Sequence, residues 1–159
     1  MDEKRQEGSP PRLPWPPLLM AAAIVGAYVL GRLLPWHWPA AIAPSARLAG
    51  ALLLIAGILL AVFGLLTLST RRTTFRPDRT PTALVTSGPF RWSRNPIYVA
   101  DVLVLLGLAG LLGWVWLLLL VVPFVLLLTR LAILPEERLL EAQFGAEFRN
   151  YRARVRRWI

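Results

Sequence analysis

The sequence predicts an all-α integral membrane protein: about four transmembrane helices, the last two a tight hairpin, followed by an amphipathic helix on the cytoplasmic side. Three observations predict it. Hydrophobic residues make up 56% of the 159 residues, against about 45–50% in soluble domains. They fall in long runs at 17–34, 48–68 and 97–134, and a helix needs about 20 apolar residues to cross a bilayer core. After Pro135, Leu139, Leu140, Phe144, Phe148, Tyr151 and Val155 recur at helical spacing among glutamates and arginines, the pattern of a helix with one apolar face.

Charge narrows the partners. The formal net charge is +9 with charged residues at only 17%, and the arginines flank the apolar runs instead of covering a soluble face. That placement suits anionic headgroups at a membrane surface, and no nucleic acid is expected as partner. Cysteine is absent and His37 is the single histidine, so no disulfide, thiolate nucleophile or metal site is expected.

Residues 1–16 are polar and proline-rich and are predicted to be disordered. The run 17–34 exceeds the roughly 7–15 apolar residues of a signal peptide, and 32–39 has no small-x-small cleavage pattern, so it reads as a retained span. Trp36 and Trp38 suit the headgroup layer, with His37 between them at the interface. The second span, 48–68, carries no charge, and Gly50, Gly57 and Gly64 form one stripe along it. Such a stripe admits another helix closely, from this chain or from a second copy. The loop 70–95 holds Arg71, Arg72, Arg76, Arg79, Arg91 and Arg94 against Asp78, which makes it cytoplasmic by the positive-inside rule.

From 97 to 134 the only charges are Asp101 and Arg130. One straight helix of that length would reach about 57 Å, against a core about 30 Å thick. The run must fold back near 110–113, with Trp114 and Trp116 at the far interface. Four spans then place both termini and the basic loop on the cytoplasmic side. The domain division expected is a 1–16 segment, a two-helix unit at 17–69 and a functional core at 70–159.

Three places could carry chemistry. Asn95-Pro96 reads as a helix start, with Asn95 as N-cap and Pro96 at the first position, and the free N–H groups of Ile97 and Tyr98 would favour an anion. Asp101, one turn further in, either pairs with Arg130 or lines a substrate cavity. Glu136 and Glu137 follow Pro135 at the depth of 95–98. They either hold ligand groups or pair on the surface with Arg138 and its neighbours.

The order Leu84-Val-Thr-Ser-Gly-Pro-Phe-Arg-Trp-Ser-Arg-Asn-Pro-Ile-Tyr98, an apolar hairpin, Glu136-Glu-Arg-Leu-Leu-Glu-Ala-Gln-Phe-Gly145 and then Tyr151 before Val155 resembles the isoprenylcysteine carboxyl methyltransferase family over roughly residues 75–159, in the form of its bacterial membrane members. The resemblance implies a methyltransferase of the bacterial inner membrane. It would use S-adenosylmethionine and act on a lipophilic small molecule, lipid or lipidated acceptor from the cytoplasmic face. Carried over by position, cofactor contacts fall on Thr82, Ala83, Leu84, Val85, Phe90, Asn95, Pro96, Ile97, Tyr98 and Glu136, with Asp101 and Arg130 on the substrate side. The family's arginine for a substrate carboxylate falls at Ala132 here, which leaves carboxyl O-methylation to Arg130, two residues away and on another helix face. Alternatives are an NADPH-dependent membrane reductase of the sterol-reductase type, which shares an Arg-x-Pro-x-Tyr turn, and a non-catalytic scaffold that binds anionic lipid.

Overall fold

The computed structural model describes residues 14–70 and 83–159. The described residues are helical: α1 Trp15–Leu33, α2 Ala43–Thr70, a 3-10 turn Gly88–Arg91, α3 Pro96–Leu112, α4 Val115–Leu128, a π-helical segment Thr129–Ile133, α5 Leu134–Phe144 and α6 Ala146–Arg154. Three helices are long and apolar enough to cross a membrane, at Trp15–Leu33, Ala43–Thr70 and Val115–Phe144, while α3 is apolar with 17 residues. That length lies at the lower edge of what spans a bilayer core.

α1 begins at Trp15, inside the 1–16 segment expected to be disordered. Trp15 and Pro16 already belong to α1, because prolines at the first helical positions lose no hydrogen bond and arrive with φ near the helical value. Residues 1–13 and the arginine-rich 71–82 lie outside the described residues. The fold-back expected at 110–113 is present. Gly113 closes α3 in the left-handed conformation at φ 75°, which glycine adopts without a Cβ penalty, and α4 begins two residues later.

The glycine stripe faces inward. A Cβ on Gly50 would meet the backbone of Leu111 and Gly107, one on Gly57 would lie 3.0 Å from the Ala100 carbonyl, and one on Gly64 2.9 Å from Ile97 Cγ1. From the other side, Cβ atoms at Gly107 and Gly110 would lie 2.6 Å from Leu54 N and Ala46 O. The stripe therefore joins α2 to α3 within one chain. Although α3 and α4 form a hairpin, α3 packs most extensively on α2 and α4 on α1. A core of Ala23, Ala27, Leu105, Leu117, Phe124, Leu128 and Ile133 fills the space between them.

The amphipathic tail is helical as expected, in two pieces joined to the last span. Instead of a separate helix after Pro135, α5 continues from α4 through the π segment, in which the Leu134 N–H donates to Thr129 O. Pro135 has no N–H to donate and its ring crowds the preceding turn; the wider π turn absorbs both, and such turns recur at functional sites. The break comes at Gly145, with φ 51° and ψ −117°, and α6 turns back from there.

Candidate functional site

At the end of the bundle where α2 finishes and α3 starts, three segments converge: the turn at 88–95, the first turn of α5, and the C-terminal residues after α6. Gly88 begins the 3-10 turn at φ 58°, and a Cβ there would lie 2.7 Å from Thr67 Oγ1. Glycine is thus required twice over, for conformation and for space. Tyr151 of α6 donates its hydroxyl proton to the Phe90 carbonyl at 2.7 Å, and burial pushes its pKa up to about 12.

The C-terminal residues run beside the turn. Ser93 and Arg156 form a parallel bridge, with the Arg94 N–H donating to Arg156 O at 2.9 Å. The Arg157 carbonyl accepts from Asn95 Nδ2 at 2.9 Å and from Ser93 Oγ at 3.4 Å. Asn95 therefore sits at the N-cap position but makes no side-chain cap; its amide holds the C-terminal segment instead. The first N–H groups of α3, which no intrahelical carbonyl can satisfy, are left without the Asn95 side chain as acceptor.

Two adjacent carboxylates divide the rest of the site. Glu136 is half-buried, and its Oε2 accepts a hydrogen bond from the buried Tyr98 hydroxyl at 3.1 Å. Glu137 is buried and held from both sides. Arg157 grips it in a two-pronged contact, Nε to Oε1 at 3.0 Å and Nη2 to Oε2 at 2.8 Å, and Arg94 Nη2 approaches Oε1 at 3.0 Å. Of the two readings of Glu137, the surface pairing with Arg138 is not what forms, because the turn and the C-terminal segment bring two other guanidiniums to a desolvated carboxylate. Burial lowers the Arg94 pKa against the support of Glu137, while the hydrogen bonds that Arg157 donates to Glu137 raise its own. Arg94 is a buried side chain whose Nε and Nη1 have no hydrogen-bond partner among the described residues.

The structure thus gathers Asn95, Pro96, Ile97, Tyr98 and Glu136 at one depth, with Phe90 tied in through Tyr151. Ala83, Leu84 and Val85 lie on the segment leading into the 3-10 turn, and Thr82 lies outside the described residues. Asp101, half-buried, is one turn along α3 from Tyr98. Arg130 is exposed on the π segment, and no Asp101–Arg130 ion pair forms among the described residues. Arg94, Glu137 and Arg157 were not among the candidate cofactor residues. Their only sequence signal is an Arg two places before Pro96, a second Glu beside Glu136 and a basic C-terminus, each ordinary by itself.

The phospholipid methyltransferase (PEMT) family model matches residues 45–147, from near the start of α2 through all of α5 to the start of α6. An uncharacterized protein of Haemophilus influenzae (strain ATCC 51907 / DSM 11121 / KW20 / Rd) is 38% identical over 67 residues, 40% of this chain and 100% of that protein. No solved structure matches.

Proposed function

The chain belongs to the phospholipid methyltransferase family, and from that premise we propose that it transfers the methyl group of S-adenosylmethionine to a lipophilic acceptor at the cytoplasmic face of a membrane. The observation that carries the reading is the 3.1 Å hydrogen bond from Tyr98 to Glu136. It joins the start of α3 to the start of α5, the two places where the sequence motifs put the cofactor.

The residues present suit such a cofactor. Two guanidinium nitrogens on Arg94 that have no hydrogen-bond partner among the described residues lie next to a helix start whose N–H groups Asn95 does not cap, a combination that favours a carboxylate. Glu136 supplies a negative charge for a cationic or hydrogen-bond-donating group. When bound, the cofactor supplies an electrophilic methyl group; the protein's part is to hold the acceptor in line and keep water out.

Proton handling depends on the acceptor. An ionised carboxylate needs no base. An amine or phenol needs one, and Glu137 cannot serve while Arg94 and Arg157 occupy both its oxygens, so Asp101 takes that role. For carboxyl O-methylation, Arg130 is the cation for the acceptor, since Ala132 is buried and has no charge to offer. The functional core is assigned to 70–159, with both termini on the cytoplasmic side of a bacterial inner membrane.

Calorimetry on the detergent-purified chain tests the proposal. S-adenosylmethionine and S-adenosylhomocysteine should bind, and Glu136→Gln should weaken both. Binding of NADPH alone would replace this reading with the reductase, and salt-sensitive lipid binding without either ligand would replace it with the scaffold.

A further inference from the structure

At the opposite end of the bundle a cavity of about 230 Å³ opens between the end of α1, the loop after it and the α3–α4 turn. Six of its lining side chains define its chemistry: Tyr28, Arg32, Trp36, His37, Trp114 and Trp116. The aromatic walls are tied in place. Trp116 donates its indole N–H to the Leu34 carbonyl at 2.8 Å, its ring meets Trp36 edge-on at 5.7 Å, and Tyr28 meets Trp114 at 6.1 Å.

Arg32 sits in the last turn of α1, where the negative end of the helix dipole favours a cation. It has no ion pair or hydrogen bond among the described residues. No lining residue is acidic, and the sequence has no Asp or Glu between Glu7 and Asp78 or between Asp101 and Glu136. This end of the bundle therefore presents positive charge with no carboxylate to neutralise it, and tryptophans mark it as the headgroup layer.

We propose that this cavity binds the phosphodiester headgroup of a bilayer phospholipid, with the Arg32 fork on the phosphate oxygens and the aromatic side chains around the headgroup. A guanidinium matches two phosphate oxygens at once, which an ammonium or an indole does not. The cavity has room for a headgroup, not for a whole lipid; the acyl chains lie along the outer face of α1, where Val25 and Val29 are exposed. The 17 residues of α3 put this site about 25 Å from the Tyr98–Glu136 contact. It is thus a second lipid site on the other membrane face, independent of the methyl acceptor.

Native mass spectrometry of the purified full chain, titrated with phosphatidylglycerol and without any cofactor, tests it. One lipid should be retained at saturation. Arg32→Gln should weaken retention about tenfold, the loss of one charge-assisted contact, and Arg32→Lys should recover part of it. Arg47→Gln removes an exposed cation at the same end but outside the cavity and should change retention less than about twofold. Equal losses in the Arg32 and Arg47 variants would reduce the effect to diffuse charge and overturn the site. Equal retention of a diacylglycerol with the same acyl chains would overturn the phosphate contact. Displacement of the lipid by millimolar inorganic phosphate would make it a free-anion site instead.

Discussion

The seam between α2 and α3 and the seam between the turn at 93–95 and the C-terminal residues both bring distant stretches of chain into contact, with opposite materials. The first is built from missing side chains. Gly50, Gly57, Gly64, Gly107 and Gly110 let two backbones meet, and its tolerance is set by volume. The second is built from charge and amide hydrogen bonds around the buried Glu137, and its tolerance is set by whether each desolvated group keeps its partners. A membrane helix pair can be held by the first kind at any depth; the second belongs where a polar site must keep one shape.

Breaking the polar seam should have the largest effect. Glu137→Gln leaves the buried Arg94 and the partly exposed Arg157 without their carboxylate, a loss of about 3 kcal/mol, seen as a lower unfolding temperature in detergent. An unchanged temperature would mean the three charges do not hold the C-terminal segment. Glu136→Gln, one residue away, should cost only about 1 kcal/mol, the scale of a single hydrogen bond, with its main effect on the S-adenosylmethionine binding proposed for this site.

The dry seam should fail next. Gly107→Leu drives a side chain into the Leu54 backbone, and overpacking of this kind costs about 1–3 kcal/mol. Gly31→Ala is the matched control, since a Cβ there has nothing within 4 Å. If both variants show the same monodisperse yield and unfolding temperature, α2 and α3 do not meet as described.

A titration sharpens the polar side of the comparison. Tyr151 has its pKa raised from 10.0 to about 12 in the folded chain, so the folded state holds this proton more tightly than the unfolded one. Its contribution to stability is complete below pH 10 and is lost as pH rises towards 12. The stability difference between wild type and Tyr151→Phe should therefore shrink over that window; a constant difference would contradict the buried hydroxyl. The smallest effect belongs to the Arg152–Glu141 bridge at 3.3 Å, whose side chains are 52% and 38% exposed. Arg152→Ala should change stability by less than about 1 kcal/mol, and a larger drop in unfolding temperature would show that this exposed pair is coupled to the buried one.

The two seams also differ in how far they could be read in advance. The glycine stripe is a periodicity, and periodicity survives in sequence because the helix geometry that creates it is local. What it leaves open is the partner, and the structure supplies α3 of the same chain. The carboxylate constellation was legible in one half. Asn95-Pro96-Ile97-Tyr98 and Glu136 could be put at one depth from span lengths alone, but Glu137 stays divided between a ligand contact and a surface pairing with Arg138 until Arg157 is seen arriving from 20 residues along the chain.

By itself the sequence determined the apolar helices, a fold-back near 110–113, the depth shared by Tyr98 and Glu136, and the positive charge at both ends of the spans. Each follows from transfer free energy and helix geometry, which depend on a residue and its near neighbours. Tertiary structure alone decided which arginines close on Glu137, that Asn95 holds the C-terminal segment instead of capping α3, and that Pro135 is absorbed by a π turn joining α4 to α5. Those are choices among chemically similar partners, and only the packed arrangement of the helices sets which of them can reach.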